Sequence, residues 1–210
     1  MEFTKINIKS WESILLLLII SLTVTSCGSS GELPRLSTDA VILSFGDSLT
    51  RGKGAEDHQS YPALLQSLTN RKVINAGRSG EVSEDGLNRL PSLLDQHTPD
   101  LLILCHGGND ILQKKDLIKM GENIRKMISI AEERNIPVVL LGVPRPGLFL
   151  SSAEIYSEIA ESTGVIFIED LIANVLSDNA LKYDIAHPND AGYQVIAEEV
   201  YSILKDTGAI

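Results

Sequence analysis

The chain has 210 residues, which suffices for one domain with a single hydrophobic core but not for two domains of ordinary size. Hydrophobic residues make up 43% of the chain and charged residues 22%, as in a globular protein, and the formal net charge is −10. Because no stripe of Lys and Arg is available to neutralise phosphates, we expect no nucleic-acid partner.

The start of the chain is typical of a bacterial lipoprotein signal. Lys5 and Lys9 precede an uncharged apolar stretch that is too short to span a bilayer by itself, as in the hydrophobic region of a signal peptide. The stretch runs into Val24-Thr25-Ser26-Cys27, which resembles a lipobox, and we therefore predict lipidation of Cys27. An uncleaved N-terminal helix and cleavage at another small residue are the alternatives.

The predicted division of the chain follows from this signal. We expect a signal peptide over residues 1–26, a flexible tether over residues 27–38 and one folded domain over residues 39–210. The lipid would hold the protein in the cell envelope, at the periplasmic face of a bacterial membrane. Gly28 stands where inner-membrane lipoproteins of enteric bacteria carry Asp, which favours the outer membrane.

Strands and helices are predicted to alternate through the rest of the chain. Five short apolar segments are separated by stretches long enough for a helix with apolar residues at helical spacing. The last helix begins at Asn189 or Asp190. This alternation predicts an α/β fold, a three-layer α/β/α sandwich around a five-stranded parallel sheet. The predicted strands are Ala40 to Phe45, Lys72 to Ala76, Asp100 to His106, Pro137 to Val143 and Val165 to Ile168.

Polar and glycine-rich motifs follow the first three predicted strands. They are Gly46-Asp47-Ser48, Gly77 and Gly107-Gly108-Asn109. Because ligands of parallel sheets bind beyond the carboxyl ends of the strands, we expect these loops to converge on one site.

A serine, an acid and a base are present in a pattern suited to acyl transfer. Ser48 is presented after a buried strand and a glycine turn, as a nucleophile must be. Asp184 and His187 stand three residues apart before the last helix, which suits a base and the carboxylate that orients it. Each motif alone is also typical of a turn or a helix entry, but their joint placement favours catalysis.

Four blocks of this sequence resemble those of the SGNH hydrolases of the GDSL superfamily, in the same order. The blocks are Gly46-Asp47-Ser48-Leu49, Asn75-Ala76-Gly77, Gly107-Gly108-Asn109-Asp110 and Asp184 to Pro188. The resemblance implies a flavodoxin-like sandwich and a serine esterase. Gly86-Leu87-Asn88-Arg89-Leu90-Pro91 is similar to the periplasmic acyl-thioesterase and lysophospholipase branch, whose members are often described as arylesterases.

The resemblance also implies a role for each site residue. Ser48 is the expected nucleophile, His187 the base and Asp184 its orienting acid. The expected oxyanion hole consists of the backbone N–H groups of Ser48 and Gly77 and the side chain of Asn109.

Substrate and partners follow as expectations. We expect a monomer that hydrolyses acyl esters or thioesters through an acyl-enzyme and needs neither a metal nor another cofactor, since no zinc, Walker or complete dinucleotide motif occurs. Deacetylation of a polysaccharide and ligand binding by an inactive lipoprotein are the alternatives.

The other reactive side chains are assigned no catalytic role. His58, His97 and His106 lack an acid at useful spacing, and His106 is expected to pack at a strand end. Cys105, in a leucine-rich strand, is expected to be a buried hydrophobic residue. The polar segment from Gly80 to Glu84 is a candidate for a mobile wall of the site.

Overall fold

A five-stranded parallel sheet forms the centre of the protein. The computed structural model describes residues 31–145 and 150–210, so the predicted signal peptide and Cys27 lie outside the described residues. The strand order is β2-β1-β3-β4-β5, and every neighbouring pair is parallel. The predicted fold class is confirmed, and each strand lies within two residues of its predicted limits. The strands are β1 (Val41–Gly46), β2 (Lys72–Gly77), β3 (Leu101–Cys105), β4 (Val138–Leu141) and β5 (Ile166–Ile168).

Helices connect the strands and form the outer layers. In the described residues they are α1 (Ser48–Arg51), a 3-10 turn (Asp57–Gln59), α2 (Tyr61–Thr69), α3 (Ser83–His97), α4 (Gly108–Leu112), α5 (Leu117–Glu132), α6 (Ile155–Thr163), α7 (Leu171–Ser177) and α8 (Asp190–Asp206). Helix α8 packs on α2 and α7, whereas α5 packs on α3 and α6, so two separate groups cover the sheet. Over residues 31–145 and 150–210, no helix has both the length and the apolar character needed to cross a membrane.

The core lies on both sides of the central strands. All residues of β3 and β4 are buried, and β2 at the sheet edge is only half-buried. This gradient explains why the central strands are continuous apolar runs without polar alternation, since both of their faces are covered by helices. The site at the carboxyl edge therefore rests on a rigid support.

The predicted start of the domain at residue 39 is wrong, because the preceding residues pack onto the core. Leu33 and Leu36 are buried, and their N–H groups donate to Thr207 O and Ala209 O at 3.1 and 2.8 Å. The guanidinium of Arg71 also donates to Leu36 O at 3.0 Å. The compact unit thus begins at about residue 31, and residues 31–38, predicted to be part of the tether, belong to the folded unit.

Candidate active site

Ser48, His187 and Asp184 form a hydrogen-bonded line at the carboxyl edge of the sheet. Ser48 Oγ lies 3.0 Å from His187 Nε2. On the other side of the ring, His187 Nδ1 lies 2.8 and 2.9 Å from the two carboxylate oxygens of Asp184. Because Asp184 accepts from Nδ1–H, neutral His187 carries its proton there and its Nε2 can accept the proton of Ser48. The structure therefore brings together the three side chains predicted for the triad.

A tight loop over residues 182–188 holds the acid and the base together. Asp184 Oδ1 accepts hydrogen bonds from Ala186 N at 2.8 Å and His187 N at 2.9 Å. The carbonyl of His187 accepts from Tyr183 N at 2.8 Å. These bonds form an Asx turn, which explains how an acid three residues before a histidine can face the imidazole of that histidine.

The surroundings of Asp184 keep this carboxylate ionised. Burial acts to raise its pKa, but hydrogen bonds from Ala186 N and from the side chain of His187, and the charge of His187, outweigh burial, so the pKa lies below its usual value. An ionised carboxylate stabilises the imidazolium that forms when His187 accepts a proton.

Asp47 fixes the turn that presents Ser48. Its buried carboxylate accepts from Leu49 N at 3.0 Å, which caps helix α1. The same carboxylate lies against Gly108 in the loop after β3. Burial raises the pKa of Asp47. One side chain thus joins the nucleophile loop to the loop that carries Asn109.

The loop after β3 is anchored by both of its polar residues. Asn109 Nδ2 donates to Glu81 O at 2.9 Å, and Asn109 lines the same cavity as Ser48. Asp110 accepts from Ser83 N and Ser83 Oγ at 2.8 and 2.7 Å, and Ser83 Oγ accepts from Asn123 Nδ2 at 3.0 Å. These bonds hold the start of α3 against the loop and orient the amide of Asn109.

The prediction that Gly77 is an oxyanion donor is wrong. Gly77 is the last residue of β2, where it pairs with Gly46, and its N–H donates to Asn75 Oδ1 at 3.0 Å. A Cβ at this position would lie 2.2 Å from the backbone nitrogen of Arg51. Gly77 therefore packs against the backbone of Arg51 in α1, and this close approach requires a glycine. It does not line the cavity beside Ser48.

Gly80, three residues later, lies in a turn that is hydrogen-bonded to the loops of Ser48 and Asn109. It lies in a turn closed by Glu81 N donating to Arg78 O at 3.2 Å, and its φ is +83°. Arg78 N donates to Gly46 O at 3.0 Å, and Asn109 donates to Glu81 O. The turn is thus joined to the loops of Ser48 and Asn109. A glycine at the third position of a turn was the signal available in the sequence.

Glu81 is part of a buried charged cluster that sequence analysis missed. Its side chain is 1% exposed, accepts from Arg89 Nε at 2.8 Å and lies 3.2 Å from His106 Nε2. His106 packs at the end of β3 as predicted, but it has an acid partner. Burial acts to raise the pKa of Glu81, and the hydrogen bonds from His106 and Arg89 outweigh it and lower the pKa to about 2. The segment from Gly80 to Glu84 is therefore anchored by hydrogen bonds, and it does not line the cavity beside Ser48.

The other residues considered in the sequence lie apart from the triad. Cys105 is fully buried in β3, and burial raises the pKa of its thiol, as expected for a structural residue. His58 lies in the exposed 3-10 turn and His97 in the last turn of α3, and neither lines the cavity of Ser48.

A cavity of about 590 Å³ opens beside Ser48. Asp47 and His187 lie at its catalytic end, and Arg145 and Lys182 also line it. The remaining wall is largely apolar and includes Leu112, Val143, Leu150, Leu176 and Ile185. An apolar cavity that contains a few polar groups is typical of a site for an organic substrate.

Enzymes that hold a serine hydroxyl, an imidazole and a carboxylate in one line are serine hydrolases, and the fold and site place this protein among them. A comparison with protein families gives the finer assignment. The GDSL-like lipase/acylhydrolase family matches residues 44–195, and the chain belongs to that family. It is an ester hydrolase.

Individual relatives agree with this assignment. The chain is 32% identical to an arylesterase of Vibrio mimicus over 193 residues, which cover 87% of this chain and 94% of the relative. It is 28% identical to thioesterase 1/protease 1/lysophospholipase L1 of Escherichia coli K12, over 78% of this chain and 83% of the relative.

A solved structure shows the same architecture. The esterase EstA from Pseudoalteromonas sp., in a crystal structure inhibited by monoethylphosphonate, matches with a TM-score of 0.71 and 25% identity. The match covers 80% of this chain and 98% of EstA.

Proposed function

We propose that the protein hydrolyses carboxylic esters and thioesters of medium-length acyl chains through an acyl-enzyme on Ser48. His187 Nε2 takes the proton of Ser48 as Oγ attacks the carbonyl carbon, and then gives it to the leaving alcohol or thiol. Asp184 orients His187 and stabilises the imidazolium. Water activated by His187 then attacks the acyl-serine and releases the acid. The 3.0 Å approach of Ser48 Oγ to His187 Nε2 carries this proposal.

The oxyanion that forms in both steps needs fixed donors. We assign this role to the backbone N–H groups of Ser48 and Gly80 and to the side-chain amide of Asn109. The amide of Asn109 has two N–H bonds, one of which is used to reach Glu81 O. The turn that carries Gly80 is joined to Asn109 by the same bond. Loss of one such donor typically lowers kcat about 100- to 1,000-fold.

The apolar wall of the cavity supports an acyl chain longer than acetyl. Each methylene that leaves water contributes about 0.8 kcal/mol, which is about a fourfold gain in kcat/KM per added carbon. The gain should stop when the cavity is full. The names of the Escherichia coli relative, which include thioesterase and lysophospholipase, favour the same substrate class.

A chain-length series of p-nitrophenyl esters from acetate to laurate tests the proposal. We expect kcat/KM to rise beyond acetate, and hydrolysis to be abolished in Ser48→Ala but retained in Ser177→Ala, a matched hydroxyl on the cavity wall. Hydrolysis that survives in Ser48→Ala excludes the mechanism. Activity confined to acetate excludes the acyl-chain assignment and points to acetylated sugars.

Alanine substitutions of two exposed aliphatic residues, one inside and one outside the cavity, test where the acyl chain binds. Leu112 is 51% exposed and lines the cavity, whereas Ile118 is 71% exposed and does not. Leu112→Ala should lower kcat/KM for octanoate more than for butyrate, and Ile118→Ala should lower neither. Equal effects of the two substitutions on kcat/KM would show that the acyl chain of the substrate does not contact Leu112.

We also propose that Cys27 anchors the protein to the periplasmic face of a bacterial membrane, with the outer membrane favoured. The lipobox-like sequence before Cys27 supports this proposal. Labelling with an alkyne-modified palmitate should be lost in Cys27→Ser, and globomycin should block processing. Unchanged processing with the drug would exclude lipidation.

A further inference from the structure

Glu81, Arg89 and His106 form a buried cluster that the proposed mechanism does not use, called here the Glu81 cluster. The side chains of Glu81, Arg89 and His106 are 1%, 15% and 0% exposed. Arg89 is on α3, Glu81 is in the turn after β2 and His106 follows β3. The cluster therefore ties together three separate parts of the fold, and it adjoins the active site through the hydrogen bond from Asn109 to Glu81 O.

The contacts within the Glu81 cluster leave little freedom. Arg89 donates through Nε and Nη2 to the two carboxylate oxygens of Glu81, and its Nη2 also donates to Ala76 O at 3.0 Å. The guanidinium carbon lies 4.4 Å from the centre of the Phe45 ring, which is typical of a cation–π contact. A bidentate guanidinium stacked on a ring fixes the position of the carboxylate in two directions.

The Glu81 cluster fixes both the acceptor of the hydrogen bond from Asn109, which is Glu81 O, and the backbone that leads to Asn109. The backbone carbonyl of Glu81 accepts from Asn109 Nδ2 at 2.9 Å, while the side chain of Glu81 is held by Arg89. His106 Nδ1 accepts from Gly107 N at 2.9 Å, at the start of the turn that leads to Asn109. Because Nδ1 accepts a hydrogen bond, neutral His106 carries its proton on Nε2. That N–H group donates a hydrogen bond to the carboxylate of Glu81.

We propose that Glu81 and Arg89 are positioning residues that fix the amide of Asn109 for the oxyanion, an inference that rests on the proposed function. They do not touch the reacting atoms. A buried ion pair contributes little net stability compared with apolar residues of similar volume, so its value here lies in the geometry that it imposes. Burial acts to raise the pKa of Glu81, but the hydrogen bonds from His106 and Arg89 lower it to about 2, so Glu81 is ionised at neutral pH.

The test measures whether Glu81 acts through Asn109. In Glu81→Gln we expect kcat for p-nitrophenyl butyrate to fall about 10- to 100-fold, a part of the loss expected for a missing oxyanion donor, with KM changed less than twofold. The double variant Asn109→Ala/Glu81→Gln should have a kcat within twofold of that of Asn109→Ala alone, because the amide that Glu81 positions is already absent. Independent, multiplicative losses, or an unchanged kcat in Glu81→Gln, would overturn the inference.

Two further variants separate positioning from loss of stability. Leu90→Ala, next to Arg89 on α3 but facing the core, should lower the Tm and leave kcat within twofold. Arg89→Lys retains the charge but not the bidentate contact, and should lower kcat even if Glu81→Gln fails to fold. A fall of kcat in Leu90→Ala equal to that in Arg89→Lys would assign the effect to stability. Ser48→Ala tests the proposed hydrolysis by itself, whereas the variants of Glu81 and Arg89 test the positioning role. The proposed function and the positioning role can therefore be contradicted separately.

Discussion

The imidazole Nε2 of His187 lies 3.0 Å from Ser48 Oγ, although 139 residues separate the two in sequence. Ser48 follows β1 in the middle of the sheet, and His187 precedes the last helix, α8. The two meet because the carboxyl ends of all five strands lie on one edge and the chain returns to that edge just before α8. The distance between the nucleophile and its base is thus set by the whole sheet, while the distance between the base and its acid is set by one loop.

Replacement of the orienting acid should therefore impair catalysis without loss of the loop. We expect Asp184→Asn to lower kcat about 1,000- to 10,000-fold, because an amide facing Nδ1 favours the tautomer with the proton on Nε2 and removes the stabilising charge. Kinetics with p-nitrophenyl butyrate measure the effect. Asp178→Asn, a matched change at a residue that accepts from Ala180 N outside the triad, should leave kcat within twofold. A loss of less than tenfold in Asp184→Asn would contradict the assigned role.

Gly77 and Gly80 should respond differently to replacement by alanine. Gly77→Ala places a Cβ 2.2 Å from the backbone nitrogen of Arg51, and we expect a loss of about 2 kcal/mol or more in the free energy of unfolding. At Gly80 no atom lies within 4 Å of an added Cβ, but φ is +83°, so we expect a loss of about 1 kcal/mol and a lower kcat as the turn shifts. Urea unfolding and kcat measured on both variants check this. A larger stability loss in Gly80→Ala than in Gly77→Ala would contradict it.

Most of the fold and the pairing of Asp184 with His187 could be predicted from sequence because both depend on local order. Buried parallel strands are continuous apolar runs, and the turn of Asp184 and His187 closes within three residues. Asn189, one of two predicted caps, is the residue that caps α8, since its side chain accepts from Gly192 N at 3.0 Å.

The assignment of an oxyanion donor to Gly77 arose from a strand end that was predicted one residue too early. Strand β2 continues to Gly77, so the N–H of that residue is used inside the folded strand and the turn begins later. Sequence patterns locate strand ends within one or two residues, and an oxyanion hole depends on single residues.

Glu81 could not be predicted as buried, because its partners come from two other elements. Beside Gly80 and Glu84 it is typical of a solvated loop. Its burial depends on Arg89 from α3 and on His106 after β3, and neither contact follows from spacing along the chain.

The ionised Glu81 should make the protein sensitive to acid. Its pKa is about 2 when folded, below the usual 4.5, so the unfolded chain binds more protons between these values. The stability from Glu81 is then fully present above about pH 4.5 and is lost as the pH falls towards 2, an effect on the order of 3 kcal/mol. In urea unfolding at pH 7, 4.5 and 3, the free energy of unfolding of Glu81→Gln should decrease less between pH 4.5 and 3 than that of the unsubstituted protein. Equal slopes in the two proteins would contradict the low pKa.

The cavity beside Ser48 carries two cations, Arg145 and Lys182, in a chain whose formal net charge is −10. We therefore expect the cavity to favour a substrate that bears a negative group. Exposed ion pairs contribute about 0.2 to 1 kcal/mol each, so we expect Arg145→Met/Lys182→Met to lower kcat/KM for the mono-p-nitrophenyl ester of adipate about 2- to 10-fold more than for p-nitrophenyl hexanoate, which has the same number of acyl carbons.

The effect of these cations should shrink in 0.5 M salt, because the charges are accessible to solvent. Lys205→Met provides a control for the loss of a positive charge outside the cavity, since Lys205 lies at the end of α8 with its Nζ 5.5 Å from the centre of the Tyr201 ring. The control should change kcat/KM for both esters by less than twofold. If the double variant instead loses activity equally on the charged and the neutral ester, Arg145 and Lys182 shape the cavity and do not select for charge.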